Sequence, residues 1–139
     1  MPAAATFAVV GLGRMARALL QPWLEDGLLQ PEAVRAVVSS AASAERAARD
    51  LGVAVSADPA EAWRAPAVLL AVKPQQLEAV AAAVPPAAGA EPGLLISVLA
   101  GVTLERLQRL FPSRRCVRAV PNTPCLVRAG LIGLAWGAG

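Results

Sequence analysis

Residues 6–16 read Thr-Phe-Ala-Val-Val-Gly-Leu-Gly-Arg-Met-Ala. Thr6 to Val10 is a short apolar run, which predicts a buried strand. It leads straight into Gly11-x-Gly13-x-x-Ala16. In a strand-to-helix connection each of these small residues has a task. Gly11 permits the tight turn, Gly13 lets the backbone approach a pyrophosphate, and Ala16 allows close packing of helix on strand. The phosphate then rests on free N–H groups at the positive end of the helix. Such a glycine pattern is weak alone, because glycine turns are common. Here it follows the first expected strand and opens the first expected helix, the context that makes it a dinucleotide signature.

The rest of the chain continues the alternation. A helix carries Met15, Leu19, Leu20 and Trp23 on one face, with Pro22 interrupting it and Gly27 stopping it. Val34 to Ser39 is a second strand, Ser43 to Leu51 a helix closed by Gly52, and Val53 to Val55 a third strand. Asp58-Pro59-Ala60-Glu61 places a cap, a first-turn proline and an N3 glutamate in register for a short helix. Ala67 to Val72 is apolar without alternation, so it is buried on both faces, and Pro74 ends it. Gln75 to Val84 is helical, residues 85–93 form a loop, and Leu94 to Leu99 is another apolar strand. Thr103 caps a helix ending near Leu110, and Cys116 to Val120 is a strand. Pro121-Asn122-Thr123-Pro124 is a tight turn, and Leu131 to Trp136 a final strand. Apolar strands alternating with helices predict an α/β fold: a Rossmann-type, doubly wound, mostly parallel sheet with helices on both faces. The 139 residues fit one domain, spanning 1–139.

Composition bounds the chemistry. The chain is 56% hydrophobic and 17% charged, which excludes disorder. The longest apolar run, Gly93 to Val102, is about half of a membrane span, so no membrane partner is expected. No signal peptide is legible, and a cytoplasmic location follows as an expectation. With no His and no Tyr, imidazole catalysis and a phenolic acid are excluded. The two cysteines, Cys116 and Cys125, are too few for a thiolate metal site, and they read as free thiols. No metal site is expected. The net charge is +3, and Arg106, Arg109, Arg114, Arg115 and Arg118 form the one basic cluster. Only Phe111 is interleaved for stacking, so the cluster reads as a solvated face rather than a nucleic-acid site.

Cofactor choice should show after the second strand. A site for NAD wants a carboxylate there. This chain has Ser39-Ser40-Ala41-Ala42, with no carboxylate before Glu45. Hydroxyls bond a 2′-phosphate where a carboxylate repels it, which favours NADPH over NADH. Arg46 reaches that phosphate if the helix starts nearby; the plainer alternatives are a solvated Arg46 and serines that merely begin a turn. Lys73 is the only lysine and Asn122 the only asparagine. Both lie just past the carboxyl end of an expected strand, where open parallel sheets bind ligands.

Three segments then act together: Gly-Leu-Gly-Arg-Met-Ala (11–16), Ala-Val-Lys-Pro-Gln (71–75) and Val-Pro-Asn-Thr-Pro (120–124). With Ser97-Val-Leu-Ala-Gly101 between the last two, the chain resembles the pyrroline-5-carboxylate reductase family, from about Phe7 to Leu134. That resemblance implies reduction of 1-pyrroline-5-carboxylate to proline by NADPH, the last step of proline biosynthesis. It implies that Gly11, Leu12, Gly13, Arg14 and Met15 hold the pyrophosphate and that Ser39 and Ser40 meet the 2′-phosphate. Ala71, Val72, Lys73 and Pro74 would line the nicotinamide-side ribose, with Ala100 and Asn122 near the nicotinamide. Two positions depart from the family. Pro59 stands where an Asn is common, and Val120 where a Met is usual.

Family members continue into a helical domain that forms the dimer and binds the substrate. The expectation is that this chain is the cofactor domain without that partner. A homo-oligomer is implied for the full-length family, and no catalytic residue can be carried over. The chemistry agrees, because a cyclic imine can enter already protonated and needs positioning more than a protein acid. Two alternatives stay open: a catalytically incomplete NADP-binding module, and another β-hydroxyacid-type or imine reductase acting through Lys73.

Overall fold

The computed structural model describes residues 5–84, 93–121 and 132–136. Seven strands form one sheet in the order β3-β2-β1-β4-β5-β6-β7. They are β1 (Phe7–Val10), β2 (Val34–Val37), β3 (Ala54–Ser56), β4 (Ala67–Leu70), β5 (Gly93–Ser97), β6 (Arg114–Pro121) and β7 (Ile132–Trp136). All neighbours pair in parallel except β6 and β7. Among the described residues four α-helices connect them: α1 (Arg14–Glu25), α2 (Ala41–Leu51), α3 (Leu77–Ala82) and α4 (Leu104–Leu110). This is the expected doubly wound α/β architecture. The order reverses between β1 and β4, and there the chain opens a crevice at their carboxyl ends.

Burial on both faces explains why the strands carry no alternation. Val9, Val34 and Leu69 face α1, whose Ala16, Leu19 and Leu20 are buried against them. Ala8, Val68, Leu70 and Leu95 face the opposite way, onto Leu77 of α3, Leu107 of α4 and Trp63. Each helix hides one stripe, and the sheet hides both sides.

Several expectations are corrected in detail. Pro22 does not interrupt α1, which runs through it to Glu25. The flanking residues hold the last turn in place: Leu19 and Leu20 are buried, and Trp23 meets Phe7 edge-on at 6.0 Å. Helix α2 begins at Ala41, ahead of the expected Ser43, because the Ser40 side chain caps it. The Asp58 cap is present, its Oδ1 accepting from the Ala60 N–H at 3.1 Å, but the helix it starts is 3-10, Pro59–Arg64. Pro74–Gln76 is likewise a 3-10 turn before α3. The final strand runs antiparallel to β6, a direction the sequence pattern does not encode. Of the expected loop over 85–93, residues 85–92 lie outside the described residues and Gly93 already belongs to β5. Pro121 extends β6 rather than starting a turn, and the rest of the 121–124 turn and Cys125 lie outside the described residues.

The arginine cluster is not wholly a solvated face. Arg114 turns inward at the start of β6. It donates from its two terminal nitrogens to the carbonyls of Trp63 and Ala65, at 2.7 and 3.0 Å. Its guanidinium lies over the Trp63 ring at 5.5 Å from the centroid, and Trp63 stacks on Phe111 at 5.4 Å. A Cβ on Gly93 would lie 2.6 Å from the same guanidinium and 2.9 Å from the Pro66 carbonyl oxygen, so a larger residue there would force Arg114 and the backbone to shift. Burial lowers the Arg114 pKa, yet arginine keeps its charge in proteins. Cys116 is buried with a free thiol, as expected of a small apolar residue, and burial raises its pKa.

Candidate nucleotide site

Three strand ends converge on one cleft. The Gly11 N–H donates to the Val37 carbonyl at 2.8 Å, and the Ala71 N–H to the Val10 carbonyl at 2.8 Å. The ladder therefore runs one residue past β1 and β4 and fixes their turns against each other. Gly11 has φ +91°, and a Cβ there would lie 2.6 Å from the Ala71 carbonyl oxygen. Both the left-handed backbone and the close approach require glycine.

Gly13 behaves differently. Its φ of −75° suits any residue, and a Cβ would meet nothing within 4 Å. Space lies in front of it. As the N-cap of α1 it offers no side chain to the first turn, and no acidic residue stands there. The N–H groups of Arg14, Met15 and Ala16 consequently have no intrahelical partner. Open space before unpartnered donors at a helix start is an anion site in chemical terms.

The cleft encloses about 550 Å³. Gly11, Leu12 and Gly13 form its floor at the end of β1, Ser39 lines it after β2, and Ala71, Val72 and Lys73 line it after β4. Among the described residues Lys73 is the one charged side chain in the lining, and no carboxylate contributes. The Lys73 N–H donates to Gln76 Oε1 at 3.4 Å, tying the strand end to the following 3-10 turn. The wall on that side is completed by Gln76 and by Ala79, Val80 and Ala83 of the α3 region. A largely apolar cleft with backbone donors and one cation suits an extended, partly aromatic anion.

Not every expected residue lines the cleft. Arg14 and Met15 lie in the first turn of α1 outside the lining, and the Met15 side chain packs on the core. Their backbone remains at the helix start. Ser40 lies off the cleft, with its hydroxyl engaged in the cap of α2. Pro74 starts the 3-10 turn, and Ala100 is exposed in the turn after β5; neither lines the cleft. Arg46 is one turn along α2 and also stays off the lining. Asn122 lies outside the described residues. Pro59 does line the cleft and brings no hydrogen-bonding side chain to it. Sequence reasoning missed Ser43 and Gln76. The signal for Ser43 was the Ser40-x-x-Ser43 spacing of an N-cap and its third residue.

Among the described residues no helix is long and apolar enough to cross a membrane, and no cluster of three metal-ligating side chains occurs.

A family model described as NADP oxidoreductase coenzyme F420-dependent matches residues 6–101. The expected resemblance is borne out. A pyrroline-5-carboxylate reductase of Synechocystis is 40% identical over 128 residues, which is 91% of this chain and 47% of that protein. The structure of a pyrroline-5-carboxylate reductase from Coxiella burnetii superposes with a TM-score of 0.81 at 29% identity, over 94% of this chain and 48% of that one. The Plasmodium falciparum pyrroline carboxylate reductase, solved with NADP bound, has the same fold at a TM-score of 0.78 and 23% identity. That match covers 96% of this chain and 48% of that one. The chain thus spans about half the length of the curated relatives it matches.

Proposed function

The chain belongs to the family described as NADP oxidoreductase coenzyme F420-dependent, and from that premise we propose that it is the cofactor-binding part of a pyrroline-5-carboxylate reductase. The activity so assigned is NADPH-dependent reduction of 1-pyrroline-5-carboxylate to proline. The observation that carries the reading is the cleft. Its Gly11 turn, the open space at Gly13 and a lining without carboxylates among the described residues fit a phosphorylated dinucleotide. The relatives named above supply the substrate class.

When bound, NADPH supplies the hydride that reduces an imine carbon. This chain's residues bind and orient it. Gly11, Leu12 and Gly13, with the Arg14 and Met15 N–H groups, hold the pyrophosphate. Ser39 meets the 2′-phosphate, and Ala71, Val72 and Lys73 border the nicotinamide-side ribose. Pro59 leaves its part of the ribose wall apolar. The Lys73 ammonium offsets negative charge in the cleft. Among the described residues lining the cleft, Lys73 is the one ionisable side chain, which fits a substrate that arrives protonated.

The 1–139 span is, in this reading, one dinucleotide-binding domain that works with the helical dimerisation domain of the family. Cytoplasmic location and a homo-oligomer built through that domain belong to the same proposal. A module that binds NADPH without turnover is the second reading, favoured by a cleft whose lining, among the described residues, offers no ionisable side chain but Lys73.

The test combines two measurements on the 139-residue chain. NADPH titration should show saturable binding, tighter than NADH. NADPH absorbance is then followed with pyrroline-5-carboxylate, and proline is looked for as product. Turnover establishes the reductase. Binding without turnover establishes the second reading, and a folded chain that binds neither nucleotide overturns both.

A further inference from the structure

Arg17 lies one turn into α1 and does not line the cleft, yet its side chain ends on the glycine turn. Its backbone N–H donates to the Gly13 carbonyl at 3.1 Å. Helix side chains lean toward the amino end, so that of Arg17 runs back past this bond. There its Nε donates to the Leu12 carbonyl at 3.3 Å, and a terminal nitrogen pairs with Asp50 Oδ2 of α2 at 3.5 Å.

A trans peptide unit is flat, and its C=O and N–H point opposite ways. Leu12 and Gly13 line the cleft, and Arg17 does not. The bond that draws the Leu12 carbonyl to Arg17 therefore turns the Gly13 N–H toward the cleft. Among the described residues that N–H donates to no backbone carbonyl. Gly11 is already held, because its own N–H donates to the Val37 carbonyl. The Leu12–Gly13 unit is easier to invert, since glycine accepts either sign of φ and Gly13 has open space around it. Inverted, it would present a carbonyl oxygen where an anion has to lie.

We infer that Arg17 is a positioning residue for the nucleotide. By holding the Leu12 carbonyl away from the cleft, it keeps the Gly13 N–H aimed at the pyrophosphate. The inference rests on the nucleotide reading above and adds to it a residue outside the cleft. The ion pair is not the agent: the Asp50 side chain is 63% exposed, and exposed pairs contribute little.

Arg17→Met and Arg17→Gln separate the hydrogen bond from the charge. Both remove the charge and the Asp50 pair, and both keep a side chain that reaches the place of Nε. Only glutamine puts an N–H donor there. Each variant is titrated with NADPH and with NADH at a temperature where thermal melting shows it folded. Arg17→Met should weaken both nucleotides about fivefold, the loss of one hydrogen bond. Both carry the pyrophosphate, so their ratio should not change. Arg17→Gln should hold both within about twofold of wild type, and Asp50→Asn likewise. Arginine, methionine and glutamine are similar helix formers, so the two Arg17 variants should melt together. Wild-type affinity in Arg17→Met overturns the inference and leaves the nucleotide reading intact. So does an equal loss in Arg17→Met and Arg17→Gln, which assigns the effect to charge. A loss confined to NADPH, or one as large in Asp50→Asn, overturns it as well. A wild-type chain that binds neither nucleotide removes the underlying reading and the inference with it.

Discussion

The carboxyl and amino edges of the same sheet are built to opposite ends. At the carboxyl edge, β1, β2 and β4 stop short and hand over to backbone. Gly11 lies against the Ala71 carbonyl, Gly13 faces open space, and the start of α1 has no side-chain cap. At the amino edge a side chain bridges the neighbouring segments. The Arg114 guanidinium joins the Trp63 and Ala65 carbonyls, covers the Trp63 ring and presses on Gly93. One edge leaves donors free at a cleft, and the other uses a half-buried cation to close the sheet. The lesson is that polar groups near strand ends divide by what satisfies them. At the amino edge the Trp63 and Ala65 carbonyls find their donor in Arg114, although the Trp63 Nε1 stays without a partner. At the carboxyl edge the first N–H groups of α1 are left to solvent or to a ligand.

The sharpest way to break this contrast is Gly11→Ala. A side chain there meets both a left-handed φ and a backbone oxygen at 2.6 Å. Loss of about 2–3 kcal/mol of stability is expected from backbone strain and the displaced turn, together with loss of nucleotide binding. Denaturant unfolding and NADPH titration check it. Arg114→Met comes next. It leaves the Trp63 and Ala65 carbonyls without their donor, and about 2 kcal/mol of destabilisation is expected. Nucleotide affinity in the folded variant should stay within twofold, roughly, of wild type if the edges are independent. A larger change would show that the lock reaches the cleft.

Gly13→Ala sharpens the comparison from the other side. The site has room and ordinary φ, so stability should fall by less than about 1 kcal/mol. NADPH should nevertheless weaken by about tenfold or more, because the methyl occupies the approach to the pyrophosphate. Lys73→Met should weaken NADPH about threefold and flatten its salt dependence, with no measurable change in melting.

The smallest effect concerns the closed edge alone. Burial raises the Cys116 pKa, and its Sγ lies 3.7 Å from the Arg114 carbonyl oxygen. The folded state therefore holds the proton more tightly than the unfolded state. The associated stability is fully present below the unfolded thiol pKa of about 8.5. It is lost as pH rises from there through the folded value. Cys116→Val should remove that part of the alkaline slope in a series of denaturant melts, a few tenths of a kcal/mol by roughly pH 9.5, and leave NADPH binding unaltered.

Much of the fold was legible because the strands are buried on both faces and leave continuous apolar runs. Phe7–Val10, Ala67–Leu70 and Gly93–Ser97 each fall within, or one residue from, such a run. Caps were legible too, since Asp58 and Thr103 announce their helices by side-chain chemistry. Pro22 misled because tertiary packing of Leu19, Leu20 and Trp23 overrides a missing backbone donor. Arg114 misled because a charge among four other arginines resembles a solvated face until the Trp63 loop is brought beside it. In the candidate site, Gly11, Leu12, Gly13, Ser39 and Ala71 to Lys73 were readable as local strand-to-helix connections, whereas Ser40 and Ser43 differ only in which way the first turn of α2 faces.

Residue order alone therefore determined the alternation of strands and helices, the glycine turn and the absence of a carboxylate after β2, because these depend on near neighbours in the chain. Tertiary structure decided which serine reaches the cleft, which arginine turns inward and which way β7 runs. Those outcomes depend on contacts between segments far apart in sequence. Ala65 and Arg114, 49 residues apart, meet only once the sheet has formed.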